Sequence, residues 1–395
     1  MRIQLEIAEV SKRPCRKFCH TPRFTSASYR RYVWADLTDI LLYQIILLLS
    51  SFHEFLAITG TCRSWRDAIS SFPPIYAFAF PPLHLKADIR YAHQHITGEY
   101  SLLSNYKWKL NDPMNSNLSL HRTAPRNTPS YMRFLGYSYG YLIFSCREHF
   151  LLVDVYTCIK VKPPKLPANR NCEIYCGFLM APLNSPKSRL LLCSRKSMFL
   201  WKVGTTSWTE SPFVGEAKFI YQIVLFKGQM FAMDSLYRLN TISLAPQLGM
   251  QEVTVLWRED VVVGSSNVPW LVVCGDMLLM VDVVEYFFQV FRLDFSAKPA
   301  KWVKLEKLEN WAMFVSIGLR SPTFSCMNPE RWGGKSNCIY ISSLSSQDSD
   351  APWIATELGQ SIYSAAHRDS YIPEGARQEI ESFWVLPSLV YGAGK

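Results

Sequence analysis

Ser138 lies in the pattern Gly136-Tyr137-Ser138-Tyr139-Gly140, which formally matches the G-x-S-x-G elbow of α/β-hydrolases. That chemistry needs a strand before the serine and a helix after it, so that the hydroxyl is held at a helix N-terminus. Here the following residues, "YLIFS", alternate like a strand, and the chain lacks the βα alternation of a parallel sheet. A turn entering a strand accounts better for both glycines. Metal chemistry has two starting points, Cys15-x3-Cys19-His20 and Cys172-x3-Cys176, but neither has a second ligand pair at zinc-finger distance. His84, His93, His95, His121 and His149 fall in loop-like or strand-edge contexts with no carboxylate at a regular offset, and read as surface histidines. There is no Walker A loop, no Rossmann fingerprint after a strand and no H-E-x-x-H. The expectation is a non-catalytic protein with no cofactor and no bound metal.

The elements that would position any site divide the chain unevenly. At 395 residues it is long enough for two domains, and 49% hydrophobic with 19% charged residues describes a packed protein, not a disordered one. Formal net charge is +10, but residues 1–31 hold eight Lys/Arg against two Glu, leaving only +4 for the remainder. The basic surplus is a tail property and does not argue for a nucleic-acid groove. Eleven scattered cysteines show no disulfide framework, and no secretory apolar segment opens the chain. Reduced thiols in a cytoplasmic or nuclear protein are the simplest reading. The tail segment "SKRPCRKFCH" reads as a nuclear localisation signal or as a flexible polyanion-attracting tail, while Glu6 and Glu9 argue against an organellar transit segment.

The most apolar stretch is "WADLTDILLYQIILLLSSF", residues 34–52, in which eight of the ten residues from Ile40 to Leu49 are Ile or Leu. A membrane span needs ~20 apolar residues. This run is bounded by Asp36 and Asp39 before and His53 and Glu54 after, and Gln44 interrupts it, so no membrane crossing is expected. Residues 34–72 read as three short helices. Thr38 is placed as N-cap of the first, Gly60 as the end of the second, and Thr61 as N-cap of the third. Together they carry more apolar surface than ~40 residues can hide among themselves, which favours a docking surface.

Beyond a Pro-rich join (Pro73, Pro74, Pro81, Pro82), short runs of β-branched and aromatic residues are cut by turn residues. "FKGQMFAMD" predicts two strands around a Lys-Gly turn and "VCGDMLLMV" a hairpin around Gly-Asp. Segments such as "LLLCSRKSMFLWKVGTTSWTES" and "IVLFKGQMFAMDSLYRLNTISL" share one rhythm of strand, turn, strand, break, strand. Hairpins sustained over ~300 residues favour a propeller, which leaves few exposed edges. At ~45–50 residues per blade, residues 84–391 hold six or seven blades. The strand near Trp384 is placed to complete the first blade. The polar segments 111–130 and 342–353 are candidate binding loops, each expected to be at least partly disordered.

Two resemblances follow from these residues. Trp34, Asp36-Leu37, Ile40-Leu41-Leu42 and the later Cys62-Arg63-Ser64-Trp65-Arg66 resemble an F-box, with Thr38 where that family usually has proline. Gly136 with Gly140-Tyr141-Leu142, and the segments "FKGQMFAMDSLYRL", "GDMLLMV", "VFRLDF", "KWVKLEKL", "NCIYIS" and "WVLPSL", are similar to the domain following the F-box in the large plant F-box family related to the KIB kelch-like proteins. The first resemblance implies docking on the Skp-type adaptor of a cullin–RING ubiquitin ligase. Its contact residues would be Leu37, Thr38, Ile40, Leu41, Ile45, Cys62, Trp65 and Arg66. Leu37, Ile40, Leu41 and Ile45 would face the adaptor, whereas Trp65 reads equally as a core residue clamping the helices. Arg63 and Arg66 read as solvated or as paired with acidic adaptor surface.

The sequence therefore predicts a mainly β chain: a tail over 1–31, three F-box helices over 32–72, a Pro-rich linker over 73–90 and a β-propeller over 91–391. The implied function is substrate recruitment to an SCF-type ligase, with an unknown target protein on the propeller and neither specific nucleic acid nor membrane as partner. The alternative is a non-ligase scaffold, or a decayed F-box protein, binding partners through the propeller.

Overall fold

The computed structural model describes most of residues 37–386. Residues 1–36, 69–79, 88–106, 167–172, 214–218, 257–268, 343–352, 363–381 and 387–395, with shorter gaps at 50–51, 63, 66–67, 114, 124–127, 129–131, 147–148, 317 and 319, lie outside the described residues. The expected tail, Trp34, Asp36, Arg63, Arg66, His93, His95, Cys172 and most of the loop 342–353 fall there.

Two helices come first, α1 (Asp39–Leu48) and α2 (Phe52–Thr61). Strands follow as β1 (Leu83–Ala87), β2 (Lys107–Asp112) and β3 (Asn115–Thr123), then β4 (Arg133–Ser138), β5 (Tyr141–Cys146), β6 (His149–Asp154) and β7 (Lys160–Val161). Next are β8 (Ile174–Leu179), β9 (Arg189–Ser194), β10 (Ser197–Lys202) and β11 (Trp208–Pro212), then β12 (Ile220–Phe226), β13 (Gln229–Asp234), β14 (Leu239–Ser243) and β15 (Gly249–Glu252). The last group is β16 (Val255–Leu256), β17 (Trp270–Cys274), β18 (Met277–Val284), β19 (Phe287–Asp294), β20 (Ala300–Leu305), β21 (Trp311–Ser316), β22 (Phe324–Met327), β23 (Cys338–Ser342), β24 (Trp353–Glu357) and β25 (Ser382–Val385).

These strands make six sheets, the blades of a six-bladed propeller. β25 closes the ring by pairing with β1 in the order β25-β1-β2-β3, with Leu83 opposite Val385 and Lys86 opposite Ser382. Pairing the first blade strand with the last makes both ends of the propeller part of one sheet, so neither can fray without opening the ring. The fifth blade carries an extra strand, β16, parallel to β20, and the sixth has the order β22-β21-β23-β24 with β21 and β23 parallel.

Sequence chemistry explains the strands. Near-continuous apolar runs such as "YLIFS" and "RLLLC" become β5 and β9, whose residues are buried along almost their whole length. Both faces of a blade are covered by its neighbours, so alternation is lost there. The Lys227-Gly228 and Tyr139-Gly140 turns both have positive φ at their two central residues, as two-residue hairpins of this hand require. Gly136 serves another need: a Cβ there would lie 2.5 Å from the Gly177 carbonyl oxygen of the neighbouring blade, so only glycine lets β4 and β8 approach this closely.

Three expectations are corrected. Residues 115–123 form β3, paired along β2, because the polar segment "NSNLSLHRT" is the outer strand of its blade and needs only one apolar partner row. The Pro-rich join contains a blade strand, β1, starting directly after Pro82, where proline costs no ladder bond. Gly60 does not end the second helix, which runs on through Thr61; the Thr61 hydroxyl donates back to the Ala57 carbonyl at 3.0 Å instead of capping a third helix. Ser64, Trp65 and Ala68 are helical, and the Trp65 amide points at the Cys62 thiol at 3.5 Å, so Cys62 occupies the capping place assigned to Thr61.

Candidate interaction surfaces

The α1 helix has two opposite apolar stripes. Leu42 and Ile46 are buried and join a core cluster with Phe55, Phe80, Trp332 and residues of the first, second and sixth blades. The attachment is aromatic: Phe55 meets Phe80 at 4.7 Å between ring centroids, and Phe80 meets Trp332 at 5.5 Å. The Arg331 guanidinium donates to the carbonyl of Leu47 at the helix C-terminus, where the backbone dipole favours a cation. On the other side Ile40 is 68% exposed and Leu48 83%, with Leu41 and Leu47 also exposed and Leu37 and Ile45 half-buried.

The structure thus brings Ile40, Leu41 and Ile45 onto α1, leaves Leu37 just before its N-cap, and sets Ile40 and Leu41 on the solvent side of the helix. Thr38 stands at the N-cap position with φ −66° and ψ 148°, and its carbonyl accepts the Leu42 amide at 3.1 Å. Its hydroxyl makes no capping bond, so the expected cap is one of backbone geometry alone. Cys62 and Trp65 are half-buried, and Trp65 packs against the cluster that anchors the helices, the core half of its two readings. No helix among the described residues is long and apolar enough to cross a membrane.

The rival chemistries resolve differently. Ser138 ends β4 and is followed by a two-residue turn and a strand, and its Oγ accepts the Leu179 amide at 3.1 Å. That is the geometry of a hairpin tied to the next blade, not of a serine at a helix N-terminus. His121 and His149 are exposed. His84 is not a surface residue: it is fully buried in β1, with Nε2 3.0 Å from Ser342 Oγ, itself 2.6 Å from Ser382 Oγ. Trp384 and Trp353 flank the imidazole at 5.2 and 5.4 Å. Burial, aided by the Lys86 charge, pushes its pKa down from 6.5 to about 3, so it is neutral at physiological pH. His84 therefore joins the first strand, the closing strand and the sixth blade. No group of three metal-ligating side chains occurs among the described residues, and burial raises the thiol pKa of the cross-strand neighbours Cys176 and Cys193.

A second polar constellation was not visible in the sequence. Arg133 opens β4, Glu173 and Tyr175 flank the start of β8, Phe219 precedes β12, Arg195 sits in the β9–β10 turn and Arg320 lies between β21 and β22. Arg133 pairs with Glu173, which also accepts the Tyr175 hydroxyl. The Arg133 and Arg195 guanidinium carbons lie 5.0 and 5.4 Å from the Tyr175 ring centroid, and Arg320 donates to the Phe134 carbonyl at 3.3 Å. All stand at the end of the ring where the inner strands begin. The helices stand at the other end, because Phe80 precedes the β1 residue opposite Val385, the last of β25, and Trp332 follows the end of β22.

Six closed blades with an attached helical segment define a β-propeller, a class whose ring suggests a protein-interaction role. The KIB1-4 beta-propeller family model matches residues 111–368, and the chain belongs to that family. No curated protein matches it. Solved structures with similarity include Kluyveromyces lactis Hsv2, with 8% identity, covering 51% of this chain and 80% of that one at a TM-score of 0.30. YCF48 bound to D1 peptide has 10% identity, 53% and 68% coverage and a TM-score of 0.32. Apo AztD from Citrobacter koseri has 12% identity, 50% and 55% coverage and a TM-score of 0.31. At such values these likenesses carry no argument about this chain.

Proposed function

We propose that the chain is a non-catalytic, substrate-recognition subunit of an SCF-type ubiquitin ligase, docking a Skp-type adaptor through its helices and a target protein through the propeller. The observation that carries this is the divided α1 helix, with Leu42 and Ile46 buried against the propeller while Ile40, Leu41, Leu47 and Leu48 remain exposed. A ten-residue helix that spends one face on its own domain and leaves four aliphatic side chains on the other is built for a second partner. Covering those four to completion is worth about 5 kcal/mol of apolar transfer before association costs. The arrangement also suits recruitment, since the helices and the opposite mouth of the ring lie at different ends of the molecule. A target held at that mouth would be kept near a ubiquitin-loaded enzyme by raised effective concentration, with no covalent chemistry in this chain.

The scaffold reading is favoured by one observation, Thr38, which replaces the family's proline and forms no side-chain cap. The experiment is co-purification of the chain with a Skp-type adaptor, for wild type and for the Leu37→Ala/Leu41→Ala variant, with circular dichroism checking that the propeller persists. Stable binding lost in the folded variant is the expected result. No binding by the wild type would replace the ligase reading with the scaffold.

A further inference from the structure

The arginines at the mouth away from the helices are poorly balanced. Glu173 is already engaged by Arg133 and by the Tyr175 hydroxyl, and neither Arg195 nor Arg320 forms an ion pair among the described residues. Arg320 is partly buried, and its bond to the Phe134 carbonyl satisfies one of its five N–H donors. Burial first, and the nearby Arg133 charge second, push its pKa down to about 10, only partly opposed by Cys176, Glu173 and Tyr175. Below these groups Tyr175 and Phe219 are in contact at 4.3 Å between centroids, giving a rigid aromatic floor, and Arg195 lies 6.0 Å from the Phe219 ring.

We infer that this mouth is a binding site for a phosphoryl group, received by Arg195 and Arg320 with Arg133 released in part from Glu173. The planar forks of guanidinium groups match phosphate oxygens two at a time, and a doubly charged phosphoryl oxyanion satisfies two arginines where a single carboxylate satisfies one. The three residues are 62 and 125 positions apart in sequence, from Arg133 to Arg195 and from Arg195 to Arg320, and are gathered by the fold: Arg133 and Arg195 both lie over the Tyr175 ring, and Arg320 reaches the Phe134 carbonyl beside Arg133. This site uses none of the helical residues, so it stands or falls apart from adaptor docking.

The test is calorimetric titration of the full chain with inorganic pyrophosphate and, separately, with a phosphoserine peptide and its unphosphorylated twin. Wild type, Arg195→Gln and Arg195→Gln/Arg320→Gln are compared, with thermal unfolding followed for each. The inference expects binding that weakens roughly tenfold for each arginine removed, since a charge-assisted hydrogen bond is worth about that factor. Tighter binding of the phosphopeptide than of both pyrophosphate and the unphosphorylated twin assigns the phosphoryl group to a protein partner; binding of pyrophosphate alone assigns it to a free polyphosphate. Absence of binding by either phosphorylated probe, or binding unchanged by Arg195→Gln, overturns the inference, the latter because the anion would then sit elsewhere, as on the basic tail. Arg195 lies in an exposed turn, so its single variant decides the matter even where the double variant does not fold.

Discussion

Replacing His84 by glutamine should remove a specific part of this protein's acid sensitivity. The imidazole titrates near 6.5 in the unfolded chain and near 3 in the folded one, lowered by burial and by Lys86. A histidine with a depressed folded pKa resists protonation in the fold. Its neutral packing therefore supports stability fully above the unfolded value, and that support is lost as pH falls from 6.5 towards 3. The linkage relation gives about 2 kcal/mol lost at pH 5 relative to pH 7.5 from this group alone. Glutamine does not titrate, and its amide is long enough to keep a bond to Ser342, so the variant should escape that loss while suffering a constant cost from imperfect fit between Trp384 and Trp353. Urea unfolding of both proteins at pH 7.5 and pH 5.0 measures this, because carboxylate titrations common to both cancel in the difference. The wild type should lose about 2 kcal/mol more than the variant between the two pH values. An equal loss in both would refute the reasoning and mean that the folded state accepts the His84 proton without penalty.

Gly136→Ala forces a Cβ to within 2.5 Å of the Gly177 carbonyl, so urea unfolding should show a loss of about 1–3 kcal/mol or a failure to fold. Removing residues 382–395 deletes β25 and with it the partner of β1 and the Trp384 indole bond to the Val315 carbonyl; calorimetry should show the single cooperative transition broadened and lowered. Thr38→Pro fits the existing φ of −66° and gives up no capping bond, so it should stabilise α1 by about 0.4–1 kcal/mol, seen as slower amide exchange over residues 42–48.

Much of the propeller was legible because its hairpins announce themselves. Lys227-Gly228 and Gly275-Asp276 mark their turns chemically, and the strand near Trp384 was placed in the first blade, where β25 pairs with β1. The Glu285-Tyr286 turn was not, since both residues hold positive φ without a glycine or asparagine to signal it. The blade count stayed open between six and seven because blades five and six depart from simple order, one with the added β16 and one with parallel neighbours β21 and β23. Burial of His84 was hidden for another reason: Ser342 is 258 residues away, and nothing local distinguishes "LHLKA" from an edge strand. The exposed stripe of α1 was legible in kind, as surplus apolar surface, but which residues turn outward depended on Phe80 and Trp332, elements no helical periodicity could supply. The arginine mouth had no sequence signal at all.

Adaptor docking through the outward stripe of α1 would shield the helix amides from solvent. Hydrogen exchange of the full chain with and without the purified adaptor tests it most directly, residue range by residue range. New protection is expected over residues 37–48 and in the α2 segment, with the arginine mouth at Arg133, Arg195 and Arg320 unchanged. Protection confined to the propeller, with the α1 amides exchanging as before, would contradict it.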